Sequence, residues 1–160
     1  MFSIIVAADI NNGIGKNGKL PWNIPDDLRI FRTITTNSTV IMGRKTWGSL
    51  PVKPLKNRHN IVISNTLDLL DGAVVCKDLE KALQISDSSN DIFIIGGSKL
   101  YNEGMSHYKC RDIIITRIYK DFECDTFINK FPLDFIHIYS SDIKSIDDLK
   151  YVNQIWTKVT

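Results

Sequence analysis

Short apolar runs alternate with segments of helical periodicity over most of the chain. The runs are rich in Ile, Val and Phe and are apolar at consecutive positions, which is typical of strands buried on both faces in a mostly parallel sheet. Strands are predicted at residues 2–8, 39–42, 60–64, 73–76, 91–95 and 113–116. Helices are predicted between them at residues 25–35, 44–49, 78–85 and 98–105. This alternation predicts an α/β fold with helices flanking a central sheet.

The pattern changes after residue 116. Residues 134–141 and 151–159 read as two strands joined by a polar connection without a helix, which predicts an antiparallel hairpin at one edge of the sheet. The sequence contains no repeat, low-complexity tract or linker. With 160 residues, 43% of them hydrophobic, the chain can bury the core of one domain, and we predict a single domain over residues 1–160.

Charge is nearly balanced but unevenly placed. The chain has 20 Lys and Arg against 18 Asp and Glu, and this net charge of +2 gives no case for nucleic acid or a membrane surface. Residues 28–67, however, contain seven basic side chains and no acidic one. Residues 68–160 contain 11 basic and 15 acidic side chains. An anionic ligand is therefore expected in the first half.

Three cysteines, Cys76, Cys110 and Cys124, are odd in number and too widely spaced for a CxxC pair, so reduced, packed thiols are expected. The start of the chain lacks the basic segment of a signal peptide. Apolar runs stay well below the ~18 residues that a membrane span needs. We therefore expect a cytoplasmic protein without a membrane partner.

A glycine-rich segment at residues 13–18 follows the first predicted strand. It matches G-x-G-x-x-G, but two prolines at positions 21 and 25 separate it from the next helix, whereas a dinucleotide fingerprint opens directly into one. With Lys19 it also approaches a P-loop, but Leu20 replaces the hydroxyl that would hold the metal. A loop that covers a ligand is the better interpretation, and a plain surface loop is the alternative.

The helix predicted at residues 25–35 begins with two aspartates. Both suit the positive end of a helix dipole, which is a purely structural explanation. Asp27, however, shares its helical stripe with apolar residues, whereas Asp26 lines up with Arg29 and Thr33. Asp27 is thus predicted to point inward, where burial favours the neutral acid and raises its pKa. A buried capping aspartate and a plain core Trp22 are the alternatives.

Two glycine turns have the context of phosphate sites. Residues 42–46 and 95–99 each run from a buried strand through glycine into a predicted helix, where backbone N–H groups can receive phosphate. Arg44 and Lys45 follow the first turn and favour an additional phosphate, hence NADP over NAD. Arg58 could fork onto a carboxylate or be an ordinary surface arginine.

The three histidines show no metal-ligand spacing, and no motif of a hydrolytic nucleophile is present. No metal site is predicted.

Taken together, these motifs resemble dihydrofolate reductase over nearly the whole chain. The resemblance is carried by five ordered segments: Ile14-Gly15 with residues 20–28, residues 40–47, Arg58 with residues 60–64, residues 95–101, and Thr116 with Asp125-Thr126. The short length and an aspartate at position 27 resemble the bacterial type. Leu20 stands where many members have Met, and Cys124 stands where Gly is common, which points to changed behaviour of the lid.

The resemblance implies NADPH-dependent reduction of dihydrofolate to tetrahydrofolate, in support of one-carbon metabolism and thymidylate synthesis. Asp27 would bind the 2-amino and N3 groups of the pterin, and Thr116 would hydrogen-bond to the Asp27 carboxylate. Trp22 would position a water, and Leu20 would belong to the lid. The implied folate pocket also comprises Ile5, Val6, Leu28, Phe31, Ser49, Leu50, Leu55 and Arg58.

The resemblance likewise implies a cofactor site. Nicotinamide would lie near Ala7, Ile14, Gly15 and Tyr101. The pyrophosphate and the adenosine 2′-phosphate would be held by Gly43, Arg44, Lys45, Thr46, Ser64, Asn65, Gly96, Gly97, Ser98, Lys99 and Leu100. A monomer acting on a small molecule is expected.

Two alternatives remain. A sister reductase of the same fold acts on a ribosylated pyrimidine, and it would keep the glycine turns but should lack the set Trp22, Asp27, Arg58 and Thr116. A non-catalytic protein could instead use the basic segment to bind NADP or nucleic acid. No aromatic-rich platform for single strands accompanies that segment.

Overall fold

A large β-sheet organises the chain in the computed structural model, which describes residues 1–159. Nine strands form it within that part of the chain: β1 Phe2–Ala8, β3 Thr39–Gly43, β4 His59–Ile63, β5 Val74–Cys76, β6 Ile92–Gly96, β7 Cys110–Ile118, β9 Phe135–Ser140, β10 Lys144–Ile146 and β11 Leu149–Lys158. Two short strands, β2 Gly13–Gly15 and β8 Thr126–Phe127, pair separately. The helices are α1 Pro25–Thr35, α2 Arg44–Ser49, α3 Leu79–Ile85 and α4 Ser98–Met105.

The sheet is parallel except at one end. Its order is β5-β4-β3-β6-β1-β7-β11-β10, and β5 through β7 pair in parallel. β11 runs antiparallel to β7 and pairs antiparallel with β10 and with β9. The predicted parallel sheet with an antiparallel edge hairpin is thus confirmed. β7 is longer than its predicted four residues, because it is hydrogen-bonded to β1 on one side and β11 on the other.

Both faces of the parallel part are covered, as the continuous apolar runs predicted. Along β3, Val40 and Met42 pack in a cluster with Trp47 of α2, whereas Ile41 between them packs in a second cluster with residues of α3 and α4. Successive side chains of a strand point to opposite faces. The core is therefore split by the sheet, and its larger part lies on the α3 and α4 side.

Local signals set the helix ends. Pro25 occupies the first turn of α1, where a missing N–H costs nothing, and Asp26 and Asp27 follow it. Helix α3 begins at Leu79, one residue later than predicted, because Asp78 is its cap and accepts the N–H of Lys81 at 2.8 Å. Among residues 1–159, no helix combines the length and apolar character that crossing a bilayer requires.

Candidate active site

A cleft of about 1710 Å³ opens along the carboxyl ends of the parallel strands. Its walls come from α1 on one side and from the ends of β1, β3, β4 and β6 on the other. Ligands of open α/β sheets bind at this edge, because the loops that follow the strands converge there. The inward stripe of α1 is only half-buried for the same reason: it faces the cleft rather than a packed neighbour.

The predicted substrate side of the cleft is mostly apolar. Leu28 and Leu20 are 56% and 55% exposed and both border the open space, so a bound molecule would cover them. Exposed apolar side chains of this kind favour the binding of an apolar part of a ligand. The residues predicted for this side that line the cleft are Ile5, Val6, Leu20, Asp27, Leu28, Phe31, Ser49, Leu50 and Thr116.

Every residue predicted for the cofactor borders the same cleft. This set is Ala7, Ile14, Gly15, Gly43, Arg44, Lys45, Thr46, Ser64, Asn65, Gly96, Gly97, Ser98, Lys99, Leu100 and Tyr101. Arg44 and Lys45 are exposed at its edge. The structure thus brings the first glycine turn, which includes the basic pair, together with the second, although the two turns lie some fifty positions apart in the sequence.

Gly96 is a position that only glycine fits. Its φ is +139°, and a Cβ there would lie 3.0 Å from Thr46 Oγ1. The bare backbone lets the turns before α2 and α4 approach each other, with Gly43 next to Gly96. Within residues 1–159, neither helix has a side-chain cap, so the first N–H groups of both are available to a ligand.

Three residues predicted for the site lie outside the cleft wall, and their roles remain predictions. Trp22 is buried against Phe122 in a cluster behind the loop, and its Nε1 has no hydrogen-bond partner in the described chain. Leu55 packs in the cluster around Trp47. The Arg58 guanidinium is held by the Lys56 carbonyl at 2.9 Å and by Thr35 Oγ1 at 3.1 Å.

Asp27 is the carboxylate on the α1 side of the cleft. Thr116 Oγ1, on β7, donates to Asp27 Oδ1 at 2.5 Å. Burial raises the pKa of Asp27, and this effect outweighs the Thr116 hydrogen bond, which lowers it. The carboxylate therefore lies against an apolar wall, and within residues 1–159 the Thr116 hydroxyl is its one hydrogen-bond donor.

The neighbouring Asp26 has the opposite environment. It accepts from Arg29 Nη2 at 2.5 Å, from Tyr151 Oη at 3.1 Å and from Lys144 Nζ at 3.2 Å. The hydrogen bond from Arg29 lowers the pKa of Asp26 most, and the bonds from Lys144 and Tyr151 add to it. Two adjacent residues on α1 thus divide into one that pins the helix to β10 and β11 and one that faces the cleft.

Among the cleft residues that were not predicted for the site, Asn153 and Lys144 form a hydrogen-bonded chain to Thr116. Asn153 on β11 donates from Nδ2 to Thr116 Oγ1 at 2.9 Å, and Lys144 on β10 donates to Asn153 Oδ1 at 2.8 Å. The available signal was Asn153 standing within the mostly apolar residues 151–156. Its contact with Thr116 depends on the register of β11 against β7, which no local pattern reveals.

Tyr101 connects α4 to the floor of the cleft. Its hydroxyl donates to the carbonyl oxygen of Ile5 at 2.8 Å. Burial raises the pKa of Tyr101, with the negative charge of Asp27 contributing in the same direction. The hydroxyl is therefore a neutral donor that bonds to the middle of β1.

The glycine-rich loop is tied to the strand pair β2 and β8. Asp125 donates its N–H to the Gly15 carbonyl at 3.0 Å and accepts the N–H of Asn17 on Oδ2 at 2.9 Å. Cys124 directly precedes Asp125 in this contact, and the changed lid behaviour expected from it stays a prediction. The loop thus lies over the cleft through Gly15, Gly18, Lys19 and Leu20.

A second buried carboxylate, Asp9, lies behind this loop. Asp9 is 0% exposed, and its Oδ1 accepts the N–H of Asn11 at 2.9 Å and of Gly13 at 2.8 Å. Its Oδ2 accepts the N–H of Phe122 at 3.0 Å and the thiol of Cys124 at 3.7 Å. Burial by itself would raise the pKa of Asp9, but the three backbone N–H groups together lower it.

Metal and disulfide chemistry find no site in the described chain. Residues 1–159 contain no cluster of three or more His, Cys, Asp or Glu side chains able to hold a metal ion. Cys76 and Cys110 are buried, Cys124 is half-buried, and all three are free thiols.

Comparison with known proteins gives consistent matches. A family model described as dihydrofolate reductase matches residues 1–158. A dihydrofolate reductase of Drosophila melanogaster is 40% identical over 149 residues, covering 84% of this chain and 82% of its own. One of Pneumocystis carinii is 40% identical over 156 residues, covering 83% of this chain and 74% of its own.

A longer relative is also similar. A bifunctional dihydrofolate reductase-thymidylate synthase of Paramecium tetraurelia is 42% identical over 130 residues, covering 81% of this chain. The match takes up 28% of that protein, so the chain spans less than a third of its length. These three relatives are eukaryotic, and the bacterial-type form inferred from the sequence stays a prediction.

Proposed function

Because the chain belongs to the dihydrofolate reductase family, we propose that it reduces 7,8-dihydrofolate to 5,6,7,8-tetrahydrofolate with NADPH. The observation that carries the proposal is the Asp27 and Thr116 pair, held at 2.5 Å on the apolar wall of the cleft. The reaction adds a hydride at C6 of the pterin and a proton at N5, so that the C6–N5 double bond becomes a single bond.

The cleft fits a dinucleotide phosphate. The turns before α2 and α4 approach each other closely, and Thr46 leaves no space for a Cβ at Gly96. The N-termini of both helices are thereby open to a pyrophosphate. Exposed Arg44 and Lys45 beside the first of them suit the 2′-phosphate that distinguishes NADPH from NADH. When bound, NADPH supplies the hydride.

Asp27 orients the pterin and stabilises its charge. Its carboxylate accepts from the 2-amino and N3 groups, while Thr116 holds Oδ1 in place. Within residues 1–159 only Oδ1 is hydrogen-bonded, which leaves Oδ2 for the ring. A carboxylate in this wall lowers the energy of the protonated pterin through a field that a water-filled site would screen.

The proton at N5 comes from water in this scheme. Trp22 has a buried Nε1 without a partner in the described chain, and a water would satisfy that donor. The loop over the cleft admits water when it opens and excludes it when closed. Asp27 then acts by orientation and electrostatics, without touching N5.

The sister reductase fits less well. It would be expected to lack the set Trp22, Asp27, Arg58 and Thr116, all of which this chain has. Arg58 in the proposed enzyme binds the α-carboxylate of the glutamate tail, held beside α1 by Thr35. We further propose one domain over residues 1–160, a cytoplasmic location and a monomeric state.

The test is oxidation of the nicotinamide with dihydrofolate as acceptor, followed by its absorbance. Wild type is expected to oxidise NADPH rapidly and NADH poorly. Arg44→Met should raise the KM for NADPH and leave that for NADH unchanged, because only NADPH carries the 2′-phosphate. Arg111→Met, an exposed arginine away from the cleft, is the matched control. No oxidation of either cofactor, or a preference for NADH, would reject the proposal.

A further inference from the structure

A chain of hydrogen bonds runs behind the catalytic carboxylate and links it to a lysine. Lys144 Nζ donates to Asn153 Oδ1 at 2.8 Å, Asn153 Nδ2 donates to Thr116 Oγ1 at 2.9 Å, and Thr116 Oγ1 donates to Asp27 Oδ1 at 2.5 Å. The four residues come from β10, β11, β7 and α1. All four border the cleft.

The direction of every bond in this chain is determined. An ammonium group has only donors, so the Asn153 carbonyl oxygen faces Lys144 and its NH2 group faces Thr116. The Thr116 oxygen receives that N–H, and its single proton is left for Asp27. A hydroxyl oriented as a donor matches an ionised carboxylate, which only accepts.

The backbone holds Asn153 in register for this role. It lies directly opposite Thr116 in the pairing of β11 with β7. Its N–H donates to Ser141 Oγ at 3.0 Å, and its carbonyl accepts the N–H of Ser141 at 2.8 Å. Asn153 is thus fixed from both neighbouring segments, with its side chain beneath Thr116.

From this geometry we infer that Asn153, oriented by Lys144, is a positioning residue that holds the Thr116 hydroxyl as a donor and so favours the ionised form of Asp27. The inference rests on the proposed function, since it assigns Asn153 to the same reaction. Asn153 acts through Thr116 and has no bond of its own to Asp27.

Other charged and titratable groups also face Asp27. Asp26 precedes it on α1, and its negative charge raises the pKa of Asp27 after the larger effect of burial. The positive charge of Lys144 lowers that pKa through space. Tyr101 from α4 and Tyr151 from β11 are the phenols nearby. Burial raises the pKa of Tyr101 most, and the Asp27 charge adds to it. Burial also raises the pKa of Tyr151 most, followed by its hydrogen bond to Asp26, the charge of Asp26 and the charge of Asp27. A test must therefore separate the hydrogen-bonded route from simple charge effects.

A double-mutant cycle read by the titration of Asp27 makes that separation. The pKa is measured by carbon NMR of the side-chain carboxyl in the ligand-free full chain, with the signal assigned through Asp27→Asn. Asn153→Leu removes the donor without changing charge, and it is expected to raise the pKa of Asp27 by roughly half to one pH unit. In a Thr116→Val background the same substitution should cause no further shift, because its only route to Asp27 is gone.

The pH profile of turnover gives a second readout. Asn153→Leu should move the profile to higher pH by a similar amount. Lys144→Met should move it in the same direction, and more in wild type than in the Thr116→Val background. Lys150→Met, which removes an exposed lysine of β11, the strand of Asn153, should leave both readouts unchanged.

Folding is followed by thermal melting for each variant. If Asn153→Leu fails to fold, the shift caused by Lys144→Met is compared between wild type and the Thr116→Val background. A larger shift in wild type supports the inference, and equal shifts overturn it. An unchanged pKa in folded Asn153→Leu, or equal shifts with and without Thr116, overturns the inference. A wild type that titrates as expected but fails to reduce dihydrofolate would instead overturn the proposed function alone.

Discussion

Asp9 is fully buried and Asp27 is half-buried at the cleft, and their surroundings change the pKa of the two carboxylates in opposite directions. Asp9 receives three backbone N–H groups and a thiol, and although burial alone would raise its pKa, these donors lower it. Asp27 receives one hydroxyl, and burial raises its pKa. The first carboxylate is satisfied by its own chain, whereas the second keeps an oxygen free for a ligand.

The difference shows how to tell a structural acid from a functional one. A buried charge is costly unless donors surround it, so a fully satisfied carboxylate stabilises the fold and has little left for a substrate. An incompletely satisfied one destabilises the free protein until a ligand supplies the missing donors. Asp9 organises the loop between β1 and β2, and Asp27 faces the proposed pterin site.

The largest expected effect separates the two in catalysis. Asp27→Asn should lower kcat near neutral pH by roughly 10²- to 10³-fold, because a neutral amide cannot stabilise a protonated pterin. Steady-state kinetics with NADPH and dihydrofolate measure this loss, with NADPH affinity followed separately by fluorescence. Exposed Asp71→Asn is the matched control and should keep wild-type turnover. A kcat within threefold of wild type would remove Asp27 from the reaction.

The second-largest expected effect is on stability, where Asp9 rather than Asp27 is the important residue. Asp9→Asn should lower the free energy of unfolding by about 2–4 kcal/mol at pH 7, because the amide NH2 group would face a backbone N–H that now lacks an acceptor. Urea denaturation measures the loss. Since the folded pKa of Asp9 is lowered, its contribution is full above the ordinary carboxyl pKa and disappears as pH falls through the folded value. The gap between variant and wild type should therefore narrow in acid, and a constant gap would contradict this account.

The third effect tests how tightly the Asp9 region is packed. A Cβ at Gly13 would lie 2.5 Å from Cys124 Cβ and 2.9 Å from Asp9 Oδ1. Gly13→Ala should therefore destabilise the protein by about 1–3 kcal/mol. Adding Cys124→Gly should restore part of the loss, because it removes the nearer clash and leaves the one with Asp9. Strictly additive effects of the two substitutions on urea unfolding would show that this contact is not the cause.

The smallest effect is a gain of stability at the active site. The raised pKa of Asp27 means that the ionised carboxylate destabilises the ligand-free fold as pH rises above the ordinary carboxyl range. Asp27→Asn should therefore melt at a slightly higher temperature than wild type at pH 7. The rise in melting temperature should be smaller than the fall that Asp9→Asn causes. The gain should vanish below the ordinary carboxyl pKa. A lower melting temperature at pH 7 would mean that Asp27 stabilises the free protein.

How far the sequence leads differs between these regions. The inward direction of Asp27 follows from the apolar residues at helical spacing around it, and the strands follow from their continuous apolar runs. Asp9 ends the first of those runs, but nothing local indicates that Phe122 would turn back to it. Asn153 depends on the register of two strands, and short strands such as β10 are too brief for a periodic pattern.

The elements that surround Asp27 are far apart in the order of synthesis. Asp27 leaves the ribosome with the first helix, Thr116 follows 89 positions later, and Asn153 comes from the last strand of the described chain. Until β11 docks against β7, the carboxylate has no oriented hydroxyl beside it. The hydrogen-bonded surroundings of Asp27 therefore form only after residue 153 has been synthesised, and until then water solvates the carboxylate.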